Sequence, residues 1–426
     1  ITLLQNSYGI SCFTIPRPLL RTASLSALNQ QTSDTTNLSS SSPNKKKVLV
    51  VGGNGRVGGS AARHIHILDE GNIELILGGR SITSFEESKN RITSQLLDAS
   101  LSVPSITFQP LDLTDSSSVL SDAILKCGAE AVVHTAGPFQ QRTDPTLLKA
   151  SIEAGVPYVD VCDEPPLCEA GKGLTDIASS RGVAAVTAAG IWPGASALMA
   201  AQAVDELRRL DDDESSPVDI SMSFFTAGTG NAGATIVSAT FLLLCQKALT
   251  IAGGKEVEKE PWTEDQNVDF GGLQGVKTVR LLDNPDVFTL YNSLSNINSL
   301  SSRFATAPGV WNQLFGAMKA FIPKSILSNT DLMQGLSLFS LPIIRAVDML
   351  VGATNAMRVD ASSVNTGRKC RFIVTHDDLE QCVGLATAAF ILELMEDASI
   401  EPGVYYPAEL PLESRKRILE RVKRDS

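Results

Sequence analysis

The sequence predicts an α/β fold: a Rossmann-like, doubly wound parallel sheet joined to a second α+β domain. Three observations carry this. Residues 48–51, VLVV, form an apolar run of the kind that a buried parallel strand needs. Gly53, Gly55 and Gly58 follow directly in G-x-G-x-x-G spacing. Short apolar runs then alternate with helical stretches as far as residue 188.

In the first turn, Gly53 is expected to allow the tight bend and Gly55 a close approach of backbone to a pyrophosphate. Gly58 lets the following helix, expected over 56–68, sit near the sheet. The N–H groups of Asn54, Arg56 and Val57 belong to the same phosphate-facing helix start. A second strand over 73–77 ends in Gly78 and Gly79, followed by Arg80 and Ser81. An NAD site expects an acid there to bond the ribose 2′-hydroxyl. A guanidinium suits a 2′-phosphate instead, so the expected cofactor is NADP. A helix is expected over 85–97 and a third strand over 106–108. Asp112 follows, placed either to approach adenine or to cap a helix starting near Ser116. A fourth strand over 131–134 runs into Thr135, Ala136, Gly137 and Pro138, small residues suited to the nicotinamide end of the crevice. A helix over 143–154 leads to a fifth strand over 156–161, and a sixth covers 183–188.

Four segments together resemble the saccharopine dehydrogenase-like oxidoreductases, in their glutamate-forming reductase branch and its uncharacterised relatives. They are VVGGNGRVG (50–58), VVHTAGPF (132–139), LLKASIEAGVPYVDVCDE (147–164) and AAVTAAGIWPGASALMA (184–200). The resemblance implies a nicotinamide-dependent dehydrogenase fold whose chain end returns to the nucleotide domain. It does not imply saccharopine as substrate, because the wider group includes enzymes of other amino acids and polyamine precursors and proteins with lipid-linked roles.

The remaining chain divides accordingly. Residues 1–44 are rich in Ser and Thr, with Arg17 and Arg21 against the single acid Asp34, and cannot build a core. They read as a transit peptide or a disordered tail, so a chloroplast is expected, with mitochondrion or cytoplasm as alternatives. The nucleotide domain spans 45–190, a substrate or dimerisation domain 191–375, and a segment packing back on the first domain 376–426. Within the second domain, Trp192 is either a substrate wall or a junction anchor. A helix continues to about 210, and a strand is expected over 218–225. A glycine-rich loop at 228–233 precedes a helix expected over 235–248. A strand at 368–376 and an apolar helix at 382–395 follow.

The net charge of −11 disfavours nucleic acid as a partner. Seven scattered cysteines and four histidines give no metal-ligand spacing, so no metal is expected. His64 and His66 fall on the first helix, at its surface or at a packing seam. Arg345 and Asp348 interrupt the apolar stretch 335–353, which argues against a transmembrane span and leaves peripheral membrane contact open. A homodimer is compatible with this organisation.

The expected chemistry is NADPH-dependent reduction of a small carbonyl or imine carrying a carboxylate. The alternative is a dinucleotide-binding protein without turnover, in a regulatory or lipid-associated role. The short-chain reductase pair Tyr-x-x-x-Lys is missing: Tyr158 is followed four residues later by Cys162, and Tyr405 by Glu409. Asp163, after the fifth strand, is the polar candidate for the catalytic site, with a turn role as its alternative. Cys162 has no activating neighbour in sequence.

Overall fold

In strand β1 (Lys46–Val51), Val48 to Val51 are all buried, so both faces of the strand need cover. The computed structural model, which describes residues 45–136, 143–228 and 243–424, supplies that cover. β2 (Ile73–Gly79), β3 (Ile106–Pro110), β4 (Ala131–His134), β5 (Tyr158–Asp160) and β6 (Ala184–Val186) join β1 in one parallel sheet. The order is β3-β2-β1-β4-β5-β6, with Gly403–Tyr405 added beside β6 as a seventh strand among the described residues. Helices α1 (Arg56–Leu68) and α2 (Ile82–Asp98) bury Ile65, Phe85, Ile92 and Leu96 on one face. Helices α3 (Ser117–Cys127) and α4 (Thr146–Ala154) bury Leu120, Ile124, Leu147 and Leu148 on the other. The sheet is therefore doubly wound, and strand order reverses between β1 and β4.

Helix starts follow local capping. Ser81 accepts from Ser84 N, which begins α2 at Ile82, three residues before the expected 85. Ser116 caps α3, so the capping alternative for Asp112 does not hold.

Helix α5 (Pro165–Lys172) and helix α6 (Thr175–Ser180) precede the turn at 190–194, and α7 (Ala195–Asp211) follows it. Beyond lies a mixed sheet of eight strands among the described residues. These are β7 (Val218–Ala227), β8 (Ala248–Ala252), β9 (Lys255–Lys259), β10 (Gln266–Asp269), β11 (Val276–Leu281), β12 (Ile297–Ala307), β13 (Thr354–Ser363) and β14 (Lys369–His376). β7 and β12 pair parallel and their neighbours antiparallel. The helix expected over 235–248 is corrected at its end. Ala248 opens β8, whose residues pair with β9 and whose last two also meet β12, so ladder bonds override the helical pattern. The calls on residues 1–44, 137–138 and 229–242 lie outside the described residues.

The two layers share one continuous core. Trp192 stacks on Phe224 of β7, with ring centroids 4.9 Å apart, and tilts against Phe304 of β12, which makes it a junction anchor. Asp286, fully buried at the start of the helix Pro285–Ser293, accepts from Gly194 N (3.2 Å) and from the Ser196 hydroxyl. It ties the turn before α7 to the second domain.

The helix Leu379–Glu396 is buried along nearly its whole length, as a helix apolar all round must be. It lies on α1 so closely that a Cβ at Gly384 would stand 2.6 Å from Ala61 N and also meet Ser60 Oγ. His64 and His66 are buried, His66 Nε2 lying 2.7 Å from Ser102 O, so they belong to packing seams. The helix Leu412–Lys423 closes over this layer. Its Arg417 and Arg421 both reach Glu393, which is 1% exposed, at 2.7 and 2.8 Å. Among the described residues no helix is long and apolar enough to cross a membrane; the helix Thr330–Val351 contains Pro342.

Two outcomes follow from this packing. Gly384→Val should lower the free energy of unfolding by about 1–3 kcal/mol through overpacking against α1, read as a lower urea midpoint at unchanged slope. Asp286 is pushed up to about 7 by burial, against its two hydrogen bonds. The folded chain thus keeps a proton that the unfolded chain releases near its usual value of about 4. This contribution to stability is complete in acid and is lost as pH rises towards 7. Asp286→Asn should shrink the loss of stability between pH 4.5 and 7.5; an undiminished loss in urea titrations would assign the effect elsewhere.

Candidate functional site

Where β1 and β4 diverge, the chain leaves β1 through Gly52, whose φ is +83°. A Cβ there would stand 2.6 Å from Ala136 N, so only glycine fits. The left-handed residue of the loop is therefore Gly52 rather than Gly53. Gly58 packs α1 against the Gly52 carbonyl and Thr135. Two side chains of α2 hold the loop carbonyls: Ser88 Oγ donates to Gly53 O (2.9 Å) and Arg91 Nη2 to Gly55 O (2.8 Å). Gly55 is the N-cap of α1 and offers no side-chain cap. The first N–H groups of α1 are thus left for an anion.

Beside this loop lies a cleft of about 320 Å³. Its walls include Gly52, Asn54, Arg80, Ser81, Asp112 and Ala136. Asn54 Nδ2 donates to Ser81 O (3.1 Å), which joins the loop to the end of β2. Arg80 is exposed and forms no ion pair among the described residues. Asp112 Oδ1 accepts from both N and Oγ1 of Thr114 (3.0 and 2.9 Å), a local turn that holds its carboxylate at the rim.

A smaller cavity of about 40 Å³ adjoins the cleft, and Leu113 and Ala136 line both. Its polar wall comes from the ends of β4 and β5. His134 and Asp160 are register partners, and Tyr158 lies two residues before Asp160 on the same face of β5. His134 Nδ1 is 2.8 Å from Tyr158 Oη, which is 3.1 Å from Asp160 Oδ2. At the other edge of the ring, His134 Nε2 is 3.1 Å from Ala136 O. Asp160 Oδ1 accepts from Ala188 N (2.8 Å) and Cys162 N (3.0 Å). Burial pushes the Asp160 carboxyl up to about 6 against these bonds, and burial beside Asp160 raises the Tyr158 phenol well above its usual range. Thr187 Oγ1, 1% exposed as a residue, lines the same cavity without a partner.

Residues 48–186 match the family described as "Saccharopine dehydrogenase NADP binding domain". Two solved structures share the fold over most of the chain. Saccharopine dehydrogenase (L-Glu forming) from Saccharomyces cerevisiae aligns with a TM-score of 0.59 at 13% identity, over 89% of this chain and 97% of that one. Homospermidine synthase from Legionella pneumophila, in complex with NAD, aligns at 0.55 and 11%, over 89% of each chain. Residues 48–186 thus match that NADP-binding domain, and the chain shares its fold with these two structures. No curated protein sequence matches the chain.

Within the saccharopine dehydrogenase-like frame, the residues singled out in the sequence separate into groups. Asn54, Arg80, Ser81, Asp112 and Ala136 face the cleft. Gly53, Gly55, Val57 and Gly58 build the turn and the start of α1 beside it. Arg56 turns to the C-terminal layer, 3.7 Å from Glu380. Gly137 and Pro138 lie outside the described residues. Asp163 lines neither cavity; its Oδ1 is buried without a hydrogen-bond partner, and burial, then Glu164, push its carboxyl up to about 7. Its neighbour Cys162 is held as a thiol by contact with Cys168 and by burial, which removes the thiolate a nucleophile needs. His134, Tyr158 and Asp160 were not singled out by motif. Their signal is the Tyr-Val-Asp alternation of β5, which acquires meaning only when His134 is in register beside it. Among the described residues no group of three or more His, Cys, Asp or Glu is placed to hold a metal ion.

Proposed function

We propose that the chain is an NADPH-dependent reductase of a small carbonyl or imine compound bearing a carboxylate. The observation that carries this reading is the end of β2. Arg80, Ser81 and Ser84 line the cleft there, with no carboxylate on that strand end. A guanidinium with no ion pair can take a 2′-phosphate in charge-assisted hydrogen bonds. The fold alone does not choose the cofactor, since the Legionella relative is in complex with NAD. The matching family is an NADP-binding domain, which agrees with the reading from Arg80. The loop 52–58 and the uncapped start of α1 suit the pyrophosphate, Asp112 and Thr114 lie towards the adenine end, and Ala136 lies towards the nicotinamide end. NADPH would supply the hydride; the chain supplies its placement and the surroundings of the reacting carbon. The carboxylate-bearing substrate class follows the yeast saccharopine dehydrogenase, the L-Glu forming enzyme.

Asp163 lines neither cavity and serves in this reading as a polar group behind the substrate side, next to Glu164 of the inner cavity wall. Its buried, unpartnered oxygen would be satisfied by an amino or hydroxyl group. The reading without turnover has its own support. The inner cavity has room for little more than a water, and Phe321 and Phe339 stand 85% and 77% exposed on the helical segment of the second domain, as a lipid-associated role would use them.

Calorimetric titration should show NADPH binding more tightly than NADH. Arg80→Asp should weaken NADPH by about 10–100-fold, the worth of one charged hydrogen bond, and leave NADH nearly unaffected; equal affinities in the wild type would end the NADPH assignment. Asp163→Asn should lower kcat/KM for keto acid reduction while calorimetry returns the wild-type NADPH affinity. Wild-type turnover in that variant would remove Asp163 from the site.

A further inference from the structure

We propose that His134, Tyr158 and Asp160 form a proton-holding chain that supplies the reduction with its proton from the edge of the dinucleotide cleft. This rests on the reductase reading for its use and on hydrogen-bond counting for its existence.

The count is short. Three close contacts run in series: Ala136 O to His134 Nε2, His134 Nδ1 to Tyr158 Oη, and Tyr158 Oη to Asp160 Oδ2. Each needs one hydrogen. A neutral imidazole, a phenol and an ionised carboxylate bring only two between them. A carbonyl cannot donate, so a neutral imidazole that turned its lone pair to Ala136 would face oxygen with nitrogen. All three contacts are satisfied only when the trio carries one further proton. That proton can sit on His134, making an imidazolium that donates at both nitrogens while Tyr158 donates to ionised Asp160. Alternatively it sits on Asp160, which donates to Tyr158 while Tyr158 donates to Nδ1 and Nε2–H to Ala136. The two arrangements interconvert by moving two hydrogens along the chain, and neither carries net charge. A neutral trio is the form that burial favours.

The surroundings suit a source of protons. His134 is half-buried and the other two residues are buried, so the chain runs inward from the cavity. Among the described residues, the titratable groups around it are Asp144 before α4, held by Lys149, Cys162 and Glu164 after β5, and Cys168 on α5. On the opposite face of the sheet, Val133 and Val159 share an apolar cluster with Phe390 of the helix Leu379–Glu396. Besides Asp160 itself, the carboxylates of Asp144 and Glu164 line the cavity, and Asp144 is paired with Lys149.

The reaction then balances. Hydride leaves C4 of NADPH with its electron pair and bonds to the carbonyl or imine carbon. The π pair moves onto the oxygen or nitrogen, which takes the hydrogen from His134 Nε2. NADP⁺, the alcohol or amine, and a neutral imidazole result. One proton taken up from bulk solvent then restores the trio. His134 is the donor in this scheme, and Tyr158 and Asp160 are positioning residues that keep it charged.

The full chain contains four histidines, so ring ¹⁵N spectra of the labelled protein with bound NADP⁺ are tractable. At pH 7 the ring ¹⁵N shifts, read together with the side-chain carboxyl ¹³C shift of Asp160, are expected to show either His134 protonated at both nitrogens with an ionised Asp160, or Nε2–H alone with a protonated Asp160 carboxyl. A neutral His134 beside an ionised Asp160 overturns the proposal. The second arm is stopped-flow oxidation of NADPH with glyoxylate, pyruvate and 2-oxoglutarate, each with and without ammonium. Tyr158→Phe and Asp160→Asn should each slow the step about 10²-fold or more at pH 8, less at pH 6, with NADPH affinity unchanged by calorimetry. Active wild type with variants at full rate overturns the supplying role and leaves the reductase reading standing. Wild type that binds NADPH yet reduces none of these removes the reductase reading and the supplying role together. The ring and carboxyl spectra, which need no turnover and no variant, still decide whether the trio holds its proton.

Discussion

Everything in the site depends on how closely the backbone at Gly52 lies against Ala136. At that point β1 hands over to α1 while β4 ends alongside, and strand order reverses between the two. A side chain at 52 would push the strand ends apart at the place where the crevice opens. The missing Cβ lets the loop fold flat, Gly58 then brings α1 down on the same carbonyl, and the start of α1 points into the cleft without a capping side chain. The anion site, the narrow neck between the two cavities and the setting of His134 next to Ala136 all descend from this one close approach.

The second constraint is the C-terminal return. A helix buried on every side cannot end a chain in solvent, and Leu379–Glu396 finds its cover between α1 and the helix Leu412–Lys423. Gly384 permits the contact with Ser60 and Ala61, and the paired arginines at Glu393 neutralise the charge that this burial leaves inside. Each arginine also has a second carboxylate, Arg417 at Asp397 and Arg421 at Glu396, so the buried Glu393 sits within a network of charges. The nucleotide layer is thus completed by a helix that lies more than three hundred positions beyond α1 in sequence, and the substrate layer is carried on a loop of chain that leaves and comes back.

Three aspartates, Asp160 and Asp286 buried and Asp163 half-buried, carry carboxyls raised by burial before any other cause. Their surroundings differ. Asp286 is closed by Gly194 and Ser196 and serves the junction; Asp160 is closed on one oxygen by two backbone N–H groups and open on the other to a phenol; Asp163 has an oxygen with no donor. That gradient, from satisfied to unsatisfied, separates a structural acid from acids available to chemistry.

The sequence by itself determined the nucleotide layer. Apolar runs of strand length, glycines at helix starts and the alternation of the two are local patterns, and backbone geometry turns them into βαβ units with little freedom of order. The basic strand end at Arg80 was legible for the same reason, since only its position after β2 matters. The register of the loop was not, because a Gly-Gly pair reads the same in either phase until Ala136 lies against one of them. Tertiary structure alone decided the roles of Trp192, Asp286 and Gly384, whose partners lie on distant elements. It also assembled His134, Tyr158 and Asp160, which are separated by a helix in sequence and meet because parallel neighbours β4 and β5 pair in one register. A proton chain needs atoms within hydrogen-bond reach, and that distance is a property of strand pairing, which no single segment of sequence contains.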